Sequence, residues 1–431
     1  MIIQQEAHRM KQIAPKLANA SNELRNAALA AIRQALLEHK EEIFAANQVD
    51  LKRAKEEAIS DAVYKRLKFD EGKLAAVTEG IDQLMGLADP IGRTMLRRQM
   101  DEGLIMEKAT CPIGVIGVIF EARPDALIQI STLCIKSGNC AILKGGKETR
   151  ETNGVLFGII AEAAYAAGLP EGCLLQVTQH NEIDELLTCE KDVDLLIPRG
   201  SNAFVQYIMN HTKIPVMGHA DGICHIYVDA AADEEKALPI LIDAKTQYTA
   251  ACNAVETILV NRSIAADFLP KLAKAMEGAG VHLRGTKEAL DLMQLASYSQ
   301  EDVMGEEDFH TEYLDLIASV KLVDSVEEAV DHINAFGSHH TDCIITEDDA
   351  AADYFQSMVD SAGVYRNIST RFADGFRYGF GAEVGISTSK LHARGPVGLD
   401  GLVTYKYRIN GDGHIVGDYA EGRRAFHFKD L

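Results

Sequence analysis

One cysteine stands on a predicted turn, where its thiol can act as a nucleophile. The run Thr246–Asn253 consists of small and polar residues, and Ile258, Leu259 and Val260 after it have strand character. Cys252 therefore lies where a turn leads into a strand. Backbone N–H groups of such a turn stabilise a thiolate, which is the nucleophilic form of cysteine. The alternative interpretation is a small buried cysteine without chemistry.

Polar loops follow several predicted buried strands in the first half of the chain. The apolar strands and the loops after them are 111–120 with 121–126, 140–143 with 144–149, and 193–197 with 198–202. Continuous apolar strands that alternate with helices predict a doubly wound parallel sheet. Ligands bind at the carboxyl edge of such a sheet, where lysines and helix N-termini hold phosphates. The loop 144–149, with two lysines, and the loop 198–202, with Arg-Gly-Ser opening a helix, predict a dinucleotide site, although the chain contains neither GxGxxG nor GxxxxGK[ST].

The elements that position Cys252 form a second α/β pattern. Residues 214–230 are expected to complete the first sheet and lead into this second domain. Further predicted strands are 255–260, 316–323, 343–346 and 363–365, and the helices between them are 264–277, 326–334 and 349–358. The helices predicted before residue 90 carry no visible chemistry and serve as scaffold.

Two segments outside these sheets predict an oligomerisation element. Residues 95–109 are polar and charged, which favours an exposed strand or hairpin. A strand over Leu402–Ile409 leads into Asn410–Gly413, and Asn-Gly is a strong hairpin signal. An isolated hairpin is marginally stable, so we expect it to join the 95–109 segment at a subunit interface. The expected assembly is a homo-oligomer, either a dimer or a tetramer.

Composition limits the possible function classes. A chain of 431 residues is too long for one compact core, so two or three domains are expected. The net charge of −21 argues against nucleic acid or an anionic membrane as partner. No apolar stretch reaches 18 residues, and the first residues lack the pattern of a signal peptide. The eight scattered cysteines, without C-x-x-C, indicate reduced thiols in the cytoplasm and no zinc site.

Several strings in the chain, together with the order of its elements, resemble the aldehyde dehydrogenase superfamily. Within it the resemblance is to the family of gamma-glutamyl phosphate reductases, also called glutamate-5-semialdehyde dehydrogenases. The matching strings, spread over nearly the whole chain, are GVIGVIFEARPD (114–125), KGGKE (144–148), PRGS (198–201), TAACNAVET (249–257), TEYLDL (311–316), GSHHTD (337–342), GAEVGIST (381–388) and KLHARGP (390–396).

The resemblance implies an α/β fold with three parts. These are a Rossmann-like NADP-binding domain (1–94 and 113–224), a second α/β catalytic domain carrying Cys252 (225–385), and a small β oligomerisation element (95–112 and 400–431).

The resemblance also implies a reaction. The expected oxidoreductase uses NADPH to reduce L-glutamyl 5-phosphate to L-glutamate 5-semialdehyde in proline biosynthesis, and phosphate is released. Cys252 would attack the acyl phosphate and form a thioester, which a hydride then reduces. Expected donors for the oxyanion are the Cys252 backbone N–H and a side chain of the 121–125 loop, where Arg123 is the candidate. Asn253 is a further candidate outside that loop.

One departure from the aldehyde-oxidising relatives agrees with a reductase. Those relatives place a glutamate base ahead of a Gly-Gly-Lys run, where it activates water for thioester hydrolysis. The matching stretch here, Val216–Gly222, contains no glutamate. His219 in this stretch either acts on the phosphate or is a structural turn residue.

The resemblance assigns cofactor contacts to five residues. Lys144 is expected at the adenosine ribose, Gly200 and Ser201 at the pyrophosphate, and Glu312 at the nicotinamide ribose. Lys147 stands where NAD-preferring relatives carry a glutamate, so a lysine there favours the 2′-phosphate of NADPH. The alternatives are a solvated loop charge for Lys147 and an exposed edge charge for Glu312.

Two arginines and two histidines complete the candidates. Arg123 and Arg394 can bind the anionic groups of the substrate or form structural ion pairs. His339 and His340 suggest a metal site, but adjacent residues entering a strand point to opposite faces, so no metal is expected.

Three alternatives remain open at this point. One is another acylating NAD(P)-dependent aldehyde dehydrogenase with a different acyl substrate. Another is a nucleotide-binding scaffold without catalysis. The third is a structural or signalling protein without a ligand.

Overall fold

The chain forms two compact units, each built around its own parallel β-sheet. The computed structural model describes residues 3–178, 182–218, 221–295 and 297–431. The units are, first, Met1–Met217 with Phe380–Gly385 and Val397–Leu431, and second, Gly218–Gly379 with Ile386–Pro396. Both main sheets alternate with helices along the chain, so the predicted α/β class is confirmed.

Five helices open the first unit. They are α1 (Ile3–Ala18), α2 (Asn22–Glu38), α3 (Lys40–Glu56), α4 (Asp61–Leu67) and α5 (Glu71–Gly86). Ser21 begins α2, because its hydroxyl oxygen accepts a hydrogen bond from the backbone N–H of Leu24 at 3.2 Å. Ala28, Leu29, Ile32 and Leu36 then follow at helical spacing, and all four are buried.

The predicted strand 111–120 is wrong as a single element, because the structure divides it between two sheets. The antiparallel hairpin β1 (Thr94–Asp101) and β2 (Leu104–Pro112) ends at Pro112, and β3 (Val115–Phe120) begins the parallel sheet. Between them Gly114 has a φ of 136°, a conformation that side chains with a Cβ rarely adopt. The chain therefore turns at Gly114 instead of continuing as one strand.

The sheet of the first unit is parallel throughout. Its remaining elements are α6 (Pro124–Lys136), β4 (Cys140–Lys144), α7 (Arg150–Ala166), β5 (Leu174–Val177), α8 (Glu182–Leu187), β6 (Leu195–Arg199) and α9 (Asn202–His211). The strand order is β5-β4-β3-β6, so the order reverses between β3 and β6. Phe120 pairs with Arg199 and Ile119 with Lys144, so the loops after these strands leave one edge together. Such an edge is where open α/β sheets bind ligands.

The second unit is a six-stranded parallel sheet. Its elements are β7 (Cys224–Val228), α10 (Glu234–Thr246), β8 (Val255–Asn261), α11 (Arg262–Gly278), β9 (His282–Gly285), α12 (Lys287–Leu292), β10 (Ile317–Val323), α13 (Val326–Phe336), β11 (Thr341–Ile345), α14 (Asp349–Met358) and β12 (Gly363–Arg366). The strand order is β12-β11-β7-β8-β10-β9. One face packs on α10, α11 and α12, and the other packs on α13 and α14.

The segment 214–230 does not complete the first sheet as predicted. Val216 makes only an isolated bridge to Leu196, and Cys224–Val228 lies in the middle of the second sheet between β8 and β11. This strand is buried along both faces, which suits the interior of either parallel sheet.

The C-terminal segment joins the β1–β2 hairpin, as expected, but does not itself form a hairpin. After β13 (Gly385–Ser387) and β14 (Gly395–Val397), β15 (Val403–Asn410) pairs with β2 over eight residues. The chain beyond the Asn-Gly turn forms α15 (Val416–Ala420) and β16 (Lys429–Asp430), and β16 pairs with β1.

Asp101 gives a physical reason for this course. Its carboxylate accepts a hydrogen bond from the Tyr419 hydroxyl at 2.9 Å and lies 3.0 Å from Nδ1 of His427. These bonds hold the pKa of Asp101 well below its usual range. The C-terminal segment is thus fastened to the end of β1 rather than to β15.

None of the helices in the described part of the chain has the length and apolar character needed to span a membrane.

A buried ion pair connects the two ends of the Cys252 turn. Lys245 lies in the last turn of α10 and Glu256 at the start of β8, and Nζ lies 2.7 Å from Oε2 with both side chains 1% exposed or less. Burial raises the pKa of Glu256 to about 7, against the opposing effect of Lys245. The other oxygen of Glu256 accepts a hydrogen bond from the N–H of Leu314 at 3.4 Å. The pair therefore fixes both ends of the turn and the loop carrying Glu312.

We predict that Lys245→Met lowers the free energy of unfolding by about 3–5 kcal/mol, because it leaves the buried Glu256 carboxyl group without its hydrogen-bonded cation. Urea denaturation measures the change. Lys274→Met, at an exposed position of α11, is the matched control and is expected to stay within about 0.5 kcal/mol of the unmodified chain. Equal stability of the two variants would show that the pair does not hold the turn.

Candidate active site

A cavity of about 400 Å³ opens at the carboxyl edge of the first sheet. It is lined by the ends of β3, β4 and β5 and by the loops that follow them, with Glu121, Lys144, Lys147 and Glu148 among the lining residues. A cavity of this size is within the range of small-ligand sites. The structure thus gathers the predicted lysine loop and the loops after β3 and β5 around one space.

The two lysines of the Lys144–Glu148 loop differ in their surroundings. Lys144 is buried and donates a hydrogen bond from Nζ to the carbonyl oxygen of Gly145 at 2.6 Å. Burial lowers its pKa, while Glu148 and Glu182 act in the opposite direction. The side chain of Lys147 is 81% exposed and lies 3.9 Å from Glu57. Lys144 is therefore fixed at the strand end, whereas Lys147 stands at the mouth of the loop.

The third predicted loop also reaches this edge. Ser201 precedes the first residue of α9, and its backbone N–H donates a hydrogen bond to the carboxylate of Glu121. A Cβ placed on Gly200 would lie 2.9 Å from that carboxylate. Partial burial and the neighbouring Glu148 raise the pKa of Glu121. The start of α9 thus already holds one negatively charged group, as helix N-termini favour.

Arg123 lies in the loop between β3 and α6. Its Nη2 donates to Oδ2 of Asp125 at 2.8 Å, and its side chain is 43% exposed. Arg123 together with Lys73 holds the pKa of the buried Asp125 below its usual range, against the opposing effect of burial. The preceding residue, Ala122, has a φ of 45°, so this loop contains backbone strain.

Cys252 lies on a tight turn between α10 and β8, as the sequence predicts. Backbone hydrogen bonds from Ala251 to Tyr248 and from Ala254 to Ala251 close the turn. Gly222 packs against it so closely that a Cβ there would lie 2.2 Å from the Cys252 carbonyl oxygen. That oxygen also accepts a hydrogen bond from the thiol of Cys224 at 3.4 Å. The position of the thiol is therefore set by β7 as well as by its own turn.

Burial distinguishes Cys252 from most other cysteines of the chain. None of the eight cysteines, all of which are described residues, forms a disulfide, and only Cys111 and Cys252 are partly exposed. Burial raises the pKa of Cys134 and of Cys343 to about 12, so these thiols stay protonated. Cys252 thus combines partial exposure with a place on a turn.

Asn253 anchors a neighbouring segment. Its side-chain Nδ2 donates a hydrogen bond to the backbone carbonyl oxygen of Ala373 at 2.8 Å. Its backbone carbonyl oxygen accepts a hydrogen bond from the Thr370 hydroxyl at 2.7 Å. Arg371, between them, donates from Nε to the side chain of Gln247 at 2.9 Å. Burial lowers the pKa of Arg371, and Cys252 acts in the opposite direction. A guanidinium therefore lies close enough to the thiol to interact with its charge.

His340 is the neighbour of Cys252 that sequence reasoning missed. Its Nε2 lies 3.2 Å from Sγ of Cys252, and its ring is 1% exposed. His339 points elsewhere, since its Nδ1 lies 2.7 Å from the carbonyl oxygen of Asp360. The signal in the sequence is the His-His pair before a strand, which by itself suggests only a metal site. In the described residues no group of three or more His, Cys, Asp or Glu side chains is placed to hold a metal ion.

Arg394 and Glu312 each interact with a charged residue. Arg394 donates from Nη2 to Oδ1 of Asp360 at 3.2 Å, which is an ion pair. Glu312 is half-buried. Burial lowers the pKa of Lys245, and the charge of Glu312 acts on that pKa in the opposite direction with a smaller effect. His219 lies outside the described residues.

Comparison with known proteins identifies the family. The model of the aldehyde dehydrogenase family matches residues 3–304. The gamma-glutamyl phosphate reductase of Ruminiclostridium cellulolyticum is 54% identical over 411 residues, which cover 95% of this chain and 94% of that protein. The enzyme of the same name from Pelotomaculum thermopropionicum is 55% identical over 425 residues, covering 99% of this chain and 96% of the relative.

A solved structure agrees with these relatives. The crystal structure of gamma-glutamyl phosphate reductase from Thermotoga maritima superposes with a TM-score of 0.92 at 34% identity. The match covers 96% of this chain and 100% of that one. The chain therefore belongs to the aldehyde dehydrogenase family of oxidoreductases, and within it to the gamma-glutamyl phosphate reductases.

Proposed function

We propose that the chain catalyses the NADPH-dependent reduction of L-glutamyl 5-phosphate to L-glutamate 5-semialdehyde with release of phosphate, a step in proline biosynthesis from glutamate. The observation that carries the proposal is a partly exposed thiol on a tight turn, in a chain whose relatives match nearly its full length. The runner-up is another acylating NAD(P)-dependent aldehyde dehydrogenase with a different acyl substrate.

In the proposed reaction Cys252 is the nucleophile. Its sulfur bonds to the acyl carbon, the bond to the phosphate oxygen breaks, and a thioester remains on the enzyme. Bound NADPH supplies the hydride that reduces this thioester to the aldehyde. We assign the backbone N–H of Cys252 to the developing oxyanion, with Asn253 and Arg123 as further candidate donors. The stretch Val216–Gly222 contains no glutamate to activate water, which supports reduction over hydrolysis.

The residues around the cavity of the first unit suit a phosphate-rich dinucleotide. Buried Lys144 and exposed Lys147 supply cations on one loop, and Gly200 and Ser201 supply the start of a helix. We assign Lys147 to the 2′-phosphate of the adenosine ribose and Lys144 to that ribose. In the second unit Glu312 is assigned to the nicotinamide ribose.

The substrate contacts are assigned by charge. Arg123 and Arg394 are the candidates for the phosphate and α-carboxylate of the substrate. Arg123 forms an ion pair with Asp125, and Arg394 forms one with Asp360, so a substrate anion would bind beside the aspartate or displace it. His219 is a further candidate for the phosphate.

The domain roles follow these assignments. Residues 1–94 and 113–224 bind the cofactor, and residues 225–385 carry Cys252. Residues 95–112 and 400–431 form the oligomerisation element, which we assign to contact between copies of the chain. On one face of β15 it exposes Tyr405, Tyr407 and Ile409, each 46% exposed or more.

The first test is run in the reverse direction. With glutamate semialdehyde and NADP+, we expect NADPH to form at a rate that depends on added inorganic phosphate, because phosphate must release the acyl group from Cys252. Absorbance of the reduced nicotinamide measures the rate. A rate that coenzyme A supports and phosphate does not would favour the runner-up.

Two cysteine variants serve as controls for that assay. Cys252→Ser is expected to lose phosphate-dependent turnover by at least about 10³-fold, since a serine hydroxyl lacks the activated thiolate. Cys111→Ser alters the other partly exposed thiol and is expected to retain activity. Full turnover of Cys252→Ser would contradict the proposed nucleophile.

The preference for NADPH tests the role of Lys147. Lys147→Glu places a carboxylate where the 2′-phosphate is expected, so the ratio of kcat/KM for NADPH over NADH should fall by at least about tenfold. Lys213→Glu is the matched control, because its side chain is 84% exposed and lies 3.9 Å from Glu190. The role is wrong if the two variants show the same ratio.

A further inference from the structure

The ring of His340 is held against the thiol of Cys252 by the second sheet. His340 immediately precedes β11, Cys252 precedes β8, and β7 lies between these two strands. All three strands are parallel, so both side chains stand at the amino edge of the sheet. The distance of 3.2 Å between Nε2 and Sγ is that of a hydrogen bond to sulfur.

Thr341 orients this ring. Its hydroxyl oxygen lies 2.9 Å from Nδ1 of His340, and its side chain is 1% exposed. When Nδ1 carries the ring proton and donates it to Thr341, Nε2 is the acceptor and faces the S–H group. A nucleophile, a base and a group that orients the base therefore stand in sequence, which is the general arrangement of an activated nucleophile.

The other groups around the thiol favour this direction of proton transfer. Arg371, from the segment after β12, interacts electrostatically with Cys252 and favours its anionic form. Cys224, from β7, stays protonated because burial raises its pKa, and its S–H donates to the Cys252 carbonyl. Gly222 adds no side chain.

We propose that His340 is the acid–base partner of Cys252. Nε2 takes the proton of the thiol, and the thiolate is then the form that attacks. The rest of the role builds on the proposed function. As the C–S bond forms and the C–O bond to phosphate breaks, imidazolium donates its proton to the departing phosphate oxygen, and the ring becomes neutral.

The later half of the cycle restores the pair. Collapse of the reduced intermediate breaks the C–S bond and returns the electron pair to sulfur as thiolate. A proton from solvent then recharges Nε2. Over the whole cycle one acyl phosphate, one hydride and one proton give aldehyde and hydrogen phosphate, so the charges balance.

The test follows alkylation of Cys252 by iodoacetamide as a function of pH, without substrate or cofactor. The modified peptide is quantified by mass spectrometry, so other cysteines do not contribute. We expect the rate in the unmodified chain to rise with a midpoint below pH 8.5, about that of an unperturbed thiol. In His340→Gln the midpoint should rise by at least one pH unit, and the rate at pH 6.5 should fall by at least about tenfold.

His339→Gln is the matched control, because its ring contacts the Asp360 carbonyl and not the thiol. It is expected to keep the profile of the unmodified chain. Superimposable profiles for His340→Gln and the unmodified chain would overturn the proposal.

A measurement on the unmodified chain covers the case in which His340→Gln does not fold. The difference in ultraviolet thiolate absorbance between the unmodified chain and Cys252→Ser is titrated with pH. A midpoint at or above 8.5 overturns the proposal, and a lower midpoint supports it.

Turnover separates this inference from the proposed function. Where phosphate-dependent turnover is present, His340→Gln should lower kcat/KM by about 10²–10⁴-fold, as loss of an acid–base group does. If the alkylation profiles differ as expected and turnover does not depend on phosphate, the proposed substrate is wrong and the Cys252–His340 pair stands. If phosphate-dependent turnover is present and the profiles coincide, the pair is wrong and the proposed function stands.

Discussion

The buried ion pair between Lys245 and Glu256 is the constraint on which the second unit's site depends. It connects the end of α10 to the start of β8 and so fixes the two ends of the Cys252 turn. Two opposite charges in an apolar interior are costly unless each satisfies the other, so their relative position is tightly defined. Glu256 also accepts a hydrogen bond from the N–H of Leu314, which connects the segment carrying Glu312 to the start of β8. The ion pair acts in addition to the backbone hydrogen bonds within the turn and the contacts from Gly222 and Cys224.

The two units place their candidate groups at opposite kinds of sheet edge. In the first unit Lys144 ends β4, and Glu121 and Ser201 follow β3 and β6, at the carboxyl edge expected for a nucleotide site. In the second unit Cys252 and His340 precede β8 and β11. The amino edge of a parallel sheet carries loops that run from helix to strand, and these can be short and stiff. A nucleophile held on such a turn keeps its position relative to its neighbours.

Much of this arrangement was predictable from sequence because its signals are local. Cys252 on a turn, the loop at Lys144 and the joining of β15 to the β1–β2 hairpin all follow from residue type and order. The contact between Cys252 and His340 was not predictable in the same way. It depends on β7 lying between β8 and β11, and nothing in the chain near His340 records that strand order.

The wrong predictions share a physical cause. A run of apolar residues shows that a strand is buried but not which sheet buries it, and so 111–120 was not divided at Gly114 and Cys224–Val228 was placed in the first sheet. The Asn-Gly turn after β15 predicts a hairpin because this short-range signal depends only on the residues that flank the turn. Instead, the hydrogen bonds of Tyr419 and His427 to Asp101 attach the segment after the turn to the end of β1. The site residues whose roles rest on a bound ligand, such as Lys147 and Arg394, could be placed in the fold but not assigned by spacing.

The central claim is that Cys252 carries the acyl group as a thioester, and mass spectrometry of the intact chain tests it most directly. The chain is incubated with glutamate semialdehyde and NADP+ in phosphate-free buffer and then quenched in acid. The account predicts a mass increase of one glutamyl group, located on the peptide containing Cys252 and removed when phosphate is added before quenching. An unmodified Cys252 peptide under conditions in which NADPH has formed would contradict it.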